Sequence, residues 1–358
     1  MVATEGETPQ VFRDLPGWRA ADFSAGVAAF RRSCSALDGR TGSLNEAADA
    51  RWAGRVSDWK PICDAVERAG DADAVKALIT RTMVPVEILE PDGSGGRFTG
   101  YFEPLIEARR QPGGEFTAPV PGPPADLVVR DGTPYQRTAD GRLRIYPPRA
   151  EIVPDPARVL GYAHPADVFF LQIQGSGRLR FPDGETVRAA YYATNGQPFR
   201  STANWLLERG WISRGEASMQ GIRAWMDRAA PSQVRAAMNA NPRYVFFQAK
   251  PQGDADLGPE GAAGIPLTPL GSIAVDPSLH ALGVPYFVET EAPGLGGRWQ
   301  GLLVAQDTGA AIKGAVRGDL YFGTGAAAGE RAGTMNAPGR MWVLLPRAVA
   351  ERLRAAGV

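Results

Sequence analysis

On average every fifth residue of this 358-residue chain is glycine or proline, 43 of one and 30 of the other. Helix interiors tolerate neither well, and the frequency is far above the usual ~12%. A bundle of long helices is therefore excluded. Disorder is excluded as well, because 44% of the residues are hydrophobic, enough to build a core. Short buried segments separated by many turns remain, which means β-rich barrels or sandwiches. The length suits two domains of ordinary size.

Charge narrows the partners. Lys plus Arg number 39 and so do Asp plus Glu, so the chain lacks the electrostatic footprint of a nucleic-acid binder. His164 and His280 are its two histidines, and Cys34 and Cys63 are not at CxxC spacing. No metal site or cofactor is expected from that set. There is no Walker A loop, no GxGxxG after a strand, no GxSxG and no HExxH. No apolar run is long enough to span a membrane. The opening MVATEGETPQVF has neither the basic nor the apolar region of a secretory signal. Cys34 and Cys63 each sit on a helix-like segment, and the residues leave open whether they are two buried thiols or a disulfide.

Along the chain, Phe23, Val27 and Phe30, then Ile62 and Val66, then Val75, Leu78 and Ile79 follow a helical period. From about Val84 the pattern turns to short β-like runs, VPVEIL and GRFTGYFEPLIEAR. Residues 111–127 are too rich in proline and glycine for regular structure. VFFLQIQ reads as an alternating strand with Gln172 and Gln174 on one face. GSGRLRF and ETVRAAYYA read as a hairpin turning at PDG. Helices return over 201–240, with Ser201 as a cap and Ser213 and Glu216 at capping-box spacing. After Tyr244 the chain is β-rich again.

Neither histidine lies in a nucleophile-type context, so acid–base chemistry falls to carboxylates. Asp276 in IAVDPS, Asp307 in LLVAQDTG and Asp319 in RGDLYFG each adjoin an apolar strand. Loss of water there raises a carboxyl pKa, which suits a general acid. Capping a turn is the commoner use of Asp beside Gly, and the residues alone leave both roles open.

The runs AVDPSLHALG, AQDTGAAIKG and GDLYFGTG resemble the three-aspartate (3D) domain of bacterial cell-wall lytic enzymes. GYFEP, FLQIQGSGRLRF, YATNGQPFRS, SMQGIRAW and NPRYVFF resemble the membrane-bound lytic murein transglycosylase A family, in order from about residue 80 to 346. The resemblance implies a mainly β fold with N-terminal helices, a double-psi β-barrel domain with a second, smaller β-barrel domain inserted. Residues 1–103 plus 241–358 would form the catalytic domain, with the 3D motif at about 265–346, and 104–240 the insert.

It further implies cleavage of the MurNAc-β-1,4-GlcNAc bond of peptidoglycan, leaving 1,6-anhydroMurNAc ends. By motif position Asp319 is the single acid and then base. Asp307 is a second catalytic carboxylate, and Asp276 and Lys313 are supporting residues, Lys313 pairing with either barrel aspartate. Tyr101, Glu103, Gln172, Gln174, Ser176, Tyr192, Asn195 and Arg200 are the substrate-binding candidates. Tyr101 would stack on a sugar, and Glu103 is the fallback acid. Trp205, Trp211 and Trp225 follow helical spacing and belong to a core. A periplasmic or outer-membrane-associated monomer is implied, with cell-wall synthesis proteins as possible partners, and export favours a Cys34–Cys63 disulfide. The alternatives are a two-carboxylate glycoside hydrolase on the same groove, or a non-catalytic cell-wall glycan-binding protein.

Overall fold

A computed structural model describes residues 11–356 apart from 39, 40 and 46; most of the opening segment read for an export signal lies outside them. The chain divides into two compact units, one from Met1–Phe102 with Asp256–Val358 and one from Glu103–Ala255.

The first unit begins with helices Ser24–Ala36, Val56–Arg68 and Ala72–Thr82. The first two are joined by a disulfide between Cys34 and Cys63, with Cα atoms 5.0 Å apart, inside the range such bonds favour. The cross-link closes a loop of 29 residues, which stabilises the fold by about 3–4 kcal/mol through the unfolded chain. Replacing both cysteines by serine is expected to lower the urea midpoint accordingly; an unchanged midpoint would mean that packing alone holds these helices. Thiol titration in denaturant without reductant should find no free thiol at Cys34 or Cys63.

Six strands then close into a barrel: Gly96–Glu103, Ser272–Val275, Pro285–Ala292, Gly297–Thr308, Arg317–Thr324 and Asn336–Pro346. The strand Asn336–Pro346 completes the ring. Its first residues pair with Gly96–Glu103, and its later ones carry a seventh strand, Met83–Ile88. Ser272–Val275 runs parallel to Gly297–Thr308 and antiparallel to Arg317–Thr324, and Asn336–Pro346 is antiparallel to each of its partners. Phe98, Phe287, Leu320, Phe322 and Trp342 are fully or almost fully buried.

The helix Ser24–Ala36 lies directly on this barrel. A Cβ on Gly26 would meet the Leu302 carbonyl oxygen at 2.2 Å, so only glycine allows that approach. Gln306, wholly buried, locks the contact. Its amide donates to the Ala29 carbonyl at 2.9 Å and to Ser33 Oγ at 2.8 Å, while Ser272 Oγ donates to its oxygen at 2.5 Å. No polar atom of this side chain is left to pay a desolvation cost.

The second unit holds a four-stranded sheet of Leu105–Glu107, Gly177–Arg180, Thr186–Thr194 and Val245–Pro251. The strands on either side of PDG pair as the expected hairpin. Two smaller sheets pair Ala118–Pro121 with Val159–Ala163, and Leu127–Arg130 with Thr133–Arg137 and Leu143–Ile145. Part of the 111–127 stretch is thus a strand, contrary to the sequence reading. The larger correction is at VFFLQIQ, which belongs to a helix, Pro165–Gln174. His164 caps it by accepting from the Ala166 N–H, proline occupies its first turn, and left-handed Gly175 ends it. Ser201 caps Thr202–Glu208 as read. The Ser213–Glu216 capping box closes a separate short 3-10 turn, however, and Ser218 caps Met219–Arg228. Trp225 is buried among these helices, with Trp211 stacked on it and Trp205 set edge-on against Trp211.

Candidate active site

The barrel strands bring two of the three motif aspartates level with each other. Ala274 pairs with Asp307 on one side and with Asp319 on the other. Alternation along a strand then decides their neighbours. Thr99 and Tyr101 fall on one face of Gly96–Glu103, and Arg317, Asp319 and Tyr321 on one face of Arg317–Thr324. Phe98 and Leu320, which point to the opposite face of their strands, are buried in the core. Gly318 carries no side chain because a Cβ there would lie 2.4 Å from Ile273 and 3.0 Å from Phe98.

Both carboxylates are held by named donors. Thr99 Oγ1 donates to Asp319 Oδ1 at 2.6 Å, and Arg317 Nη2 donates to Thr99 Oγ1 at 2.8 Å. Tyr101 donates its hydroxyl to Asp307 Oδ2 at 3.0 Å, and the Ala262 N–H donates to Asp307 Oδ1 at 3.0 Å. Loss of water pushes the Asp319 carboxyl up to about 6, against the Thr99 bond and the Arg317 charge, with the Asp307 charge adding to the rise. Burial raises Asp307 as well, opposed by the N–H of Thr308, the N–H of Ala262 and the Tyr101 hydroxyl. The phenol of Tyr101 is held far above its ordinary range by burial and by the two carboxylates, so it stays a donor. An acid poised near neutrality beside a hydrogen-bonded second carboxylate can protonate a leaving oxygen.

Asp276 stands apart. It is buried, and although burial works against its charge, bonds from Ser278, Lys313 and Gly314 hold its carboxyl below the ordinary value. Lys313 Nζ lies 3.1 Å from Asp276. This corrects the expected pairing of Lys313 with Asp307 or Asp319. The contact ties the loop between the Asp307 and Asp319 strands to the turn after Val275. His280 ties down the same loop. Its Nε2 faces the Ala315 carbonyl at 2.9 Å and its Nδ1 the Tyr286 hydroxyl at 3.1 Å. A carbonyl can only accept, so Nε2 carries the proton and Nδ1 accepts. Burial pushes this imidazole down to about 4, so it is neutral and structural.

Other candidates take different places. Tyr101 packs its ring against Tyr321, with centroids 5.2 Å apart, and commits its hydroxyl to Asp307. It is therefore built into the carboxylate cluster, not set out as a free sugar platform. Glu103 cannot serve as the fallback acid. It is fully buried, with Arg178 Nε and Arg188 Nε each 2.8 Å from its carboxylate. Asn195 is likewise structural: its amide donates to the carbonyls of Pro147 and Pro242 and accepts from the N–H of Tyr244. Gln172 and Gln174 lie on a helix, with Gln172 buried, and Ser176 is buried too. Tyr192 is exposed at a bulge in Thr186–Thr194. Arg200 is exposed and lines a cavity of about 630 Å³ with Asn204, Trp205 and Glu208.

Sequence reasoning did not find Thr99, Arg317, Tyr321 or Ala262. For Thr99 and Arg317 a signal was present, since each lies two residues before a singled-out residue and so shares its face.

Residues 97–248 match the MltA specific insert domain and residues 271–345 the 3D domain. A membrane-bound lytic murein transglycosylase A of Vibrio cholerae is 36% identical over 257 residues, covering 69% of this chain and 64% of the relative's length. The match thus spans just under two thirds of that relative. The lytic transglycosylase LtgG of Burkholderia pseudomallei is 36% identical, with 97% of each chain covered and a TM-score of 0.63. E. coli MltA, solved with bound chitohexaose, is 28% identical, with 96% of each chain covered and a TM-score of 0.70. The chain belongs to the membrane-bound lytic murein transglycosylase A family and carries that family's 3D domain.

Proposed function

We propose that this protein is an enzyme, a lytic transglycosylase that cleaves the MurNAc-β-1,4-GlcNAc bond of peptidoglycan and leaves 1,6-anhydroMurNAc ends. Asp319 gives its proton to the glycosidic oxygen as the C1–O bond breaks. The carboxylate so formed takes the proton from the sugar's own O6 as O6 attacks C1. One carboxyl group suffices because the nucleophile is already part of the substrate, where proximity replaces activation.

The observation that carries this reading is the raised carboxyl of Asp319 beside an Asp307 whose two oxygens are both engaged. A hydrolase needs a second carboxylate free to activate water or to attack. Asp307, held at Oδ1 by the Ala262 N–H and at Oδ2 by the Tyr101 hydroxyl, serves to balance positive charge at C1. The retained carboxyl pair also makes a silent glycan-binding protein the weaker reading.

The rest of the assignment belongs to the same proposal. The barrel is double-psi, with 104–240 inserted as a second barrel domain, and the protein acts as a monomer at the periplasmic face of the outer membrane. Among the described residues no helix is long and apolar enough to cross a membrane. The bound chitohexaose of the E. coli relative supports a glycan-strand substrate. Mass spectrometry of digested murein sacculi tests the reaction. Anhydro ends are expected; fragments heavier by one water would make the enzyme a hydrolase, and uncut strands would make it a binding protein.

A further inference from the structure

We infer that Thr99 and Arg317 are positioning residues for Asp319: Arg317 fixes the direction of the Thr99 hydroxyl, and that hydroxyl decides which oxygen of Asp319 carries the working proton. The inference rests on the reading of Asp319 as the acid.

A hydroxyl has one proton to give. Arg317 Nη2, 2.8 Å from Thr99 Oγ1, occupies a lone pair of that oxygen and has no acceptor to offer. The hydroxyl proton must turn away from it, and Asp319 Oδ1 receives it at 2.6 Å. Oδ1 is then committed, and the acidic proton is carried on Oδ2.

The guanidinium does not depend on Thr99 for its own place. Its Nη1 donates to the carbonyls of Arg97 and Gly318, bridging the strands Gly96–Glu103 and Arg317–Thr324. The bond to Oδ1 strengthens as negative charge develops on Asp319, so it favours the transition state over the resting acid. The groups facing Asp319 are Arg317 from its own strand, Thr99 and Tyr101 from Gly96–Glu103, and Asp307 from Gly297–Thr308. Thr99 and Arg317 favour the charged form, and Asp307 opposes it.

The test compares Thr99→Val, which removes the hydroxyl at nearly constant shape, with Thr99→Ser, which keeps it. Thr99→Ala is a second hydroxyl-free variant should valine fold poorly. Two readouts are taken on each: kcat and KM for purified glycan strands across pH, and the Asp319 carboxyl titration by carbon-13 NMR, which needs no turnover. Valine is expected to lower kcat about ten- to hundredfold with KM within about twofold. It should also move the Asp319 titration up by about one unit. Serine should restore both, and Arg317→Gln should raise the titration and lower kcat. Wild-type kcat and titration in the valine and alanine variants would overturn the inference, as would a serine variant as impaired as valine. So would an Arg317→Gln variant unchanged in both. Full cleavage by Asp319→Asn would instead defeat the assignment of the acid, while the effect of Thr99 on the Asp319 titration would stand.

Discussion

Asp319→Asn is expected to abolish cleavage while making the folded protein more stable above pH 6. On the proposed role of Asp319 as proton carrier in both half-reactions, its loss should lower kcat by roughly 10⁴-fold, with glycan strands still bound. The stability effect has the opposite sign because of where the carboxyl sits. Its folded pKa of about 6 lies above the ordinary 3.8, so the folded state holds this proton more tightly than the unfolded chain does. The contribution to stability is complete below about pH 4 and is lost as pH rises through 6. At pH 7.5 wild type therefore carries a burden of up to about 2–3 kcal/mol, less to the extent that water screens the partly open carboxyl. The neutral amide removes it. Thermal unfolding at pH 4 and pH 7.5 measures the difference: the variant should gain at the higher pH and not at the lower. In wild type, kcat/KM should fall as pH rises above about 6, because the acid must start protonated. A profile flat from pH 5 to 8 would place the acid elsewhere.

Glu103→Ala is expected to be the most damaging single change in the second unit. Arg178 and Arg188 face each other directly across the pair of strands Gly177–Arg180 and Thr186–Thr194, an arrangement that repels by itself. Glu103 lies between them, fully buried, and makes the juxtaposition favourable. Removing it takes the buried carboxylate from between two facing guanidinium groups, a loss of up to about 3–5 kcal/mol. Chemical denaturation should show this as a lower midpoint. Glu103→Gln, which keeps a hydrogen-bonding oxygen without charge, should fall between. A wild-type midpoint for Glu103→Ala would mean that the arginines find sufficient carboxylate partners without it.

Much of this was legible in the sequence, and the misses have physical causes. Asp307 and Asp319 could be singled out because each sits at the end or within an apolar alternating run bounded by glycine. The β-rich character followed from the spacing of glycine and proline. Thr99 could be placed on the face of Tyr101, but its bond to Asp319 joins residues 220 apart in sequence, and no local pattern records a bond across strands. VFFLQIQ was misread because a short apolar run has no distinctive period. The end signals, Pro165 after a capping His164 and Gly175 beyond Gln174, were the better guide. Glu103 showed only its charge; that two arginines some 80 residues downstream would fold onto it could be known only from the sheet register. His280 shows the same limit: its sequence context gave no hint that it secures the loop between the Asp307 and Asp319 strands.

The ring closed by Asn336–Pro346 also dictates an order of events during synthesis. That strand is the partner of both Met83–Ile88 and Gly96–Glu103, so the first part of the chain must wait for nearly all of the rest. In the interval the strand bearing Thr99 and Tyr101 has an open edge and exposed apolar residues, the condition in which chains associate wrongly. The segment Glu103–Ala255 is continuous and can organise earlier. A chain that ends before residue 336 therefore leaves the ring open and Met83–Ile88 without its strand partner, although the strands that carry Asp307, Asp319 and Thr99 are already neighbours in the sheet.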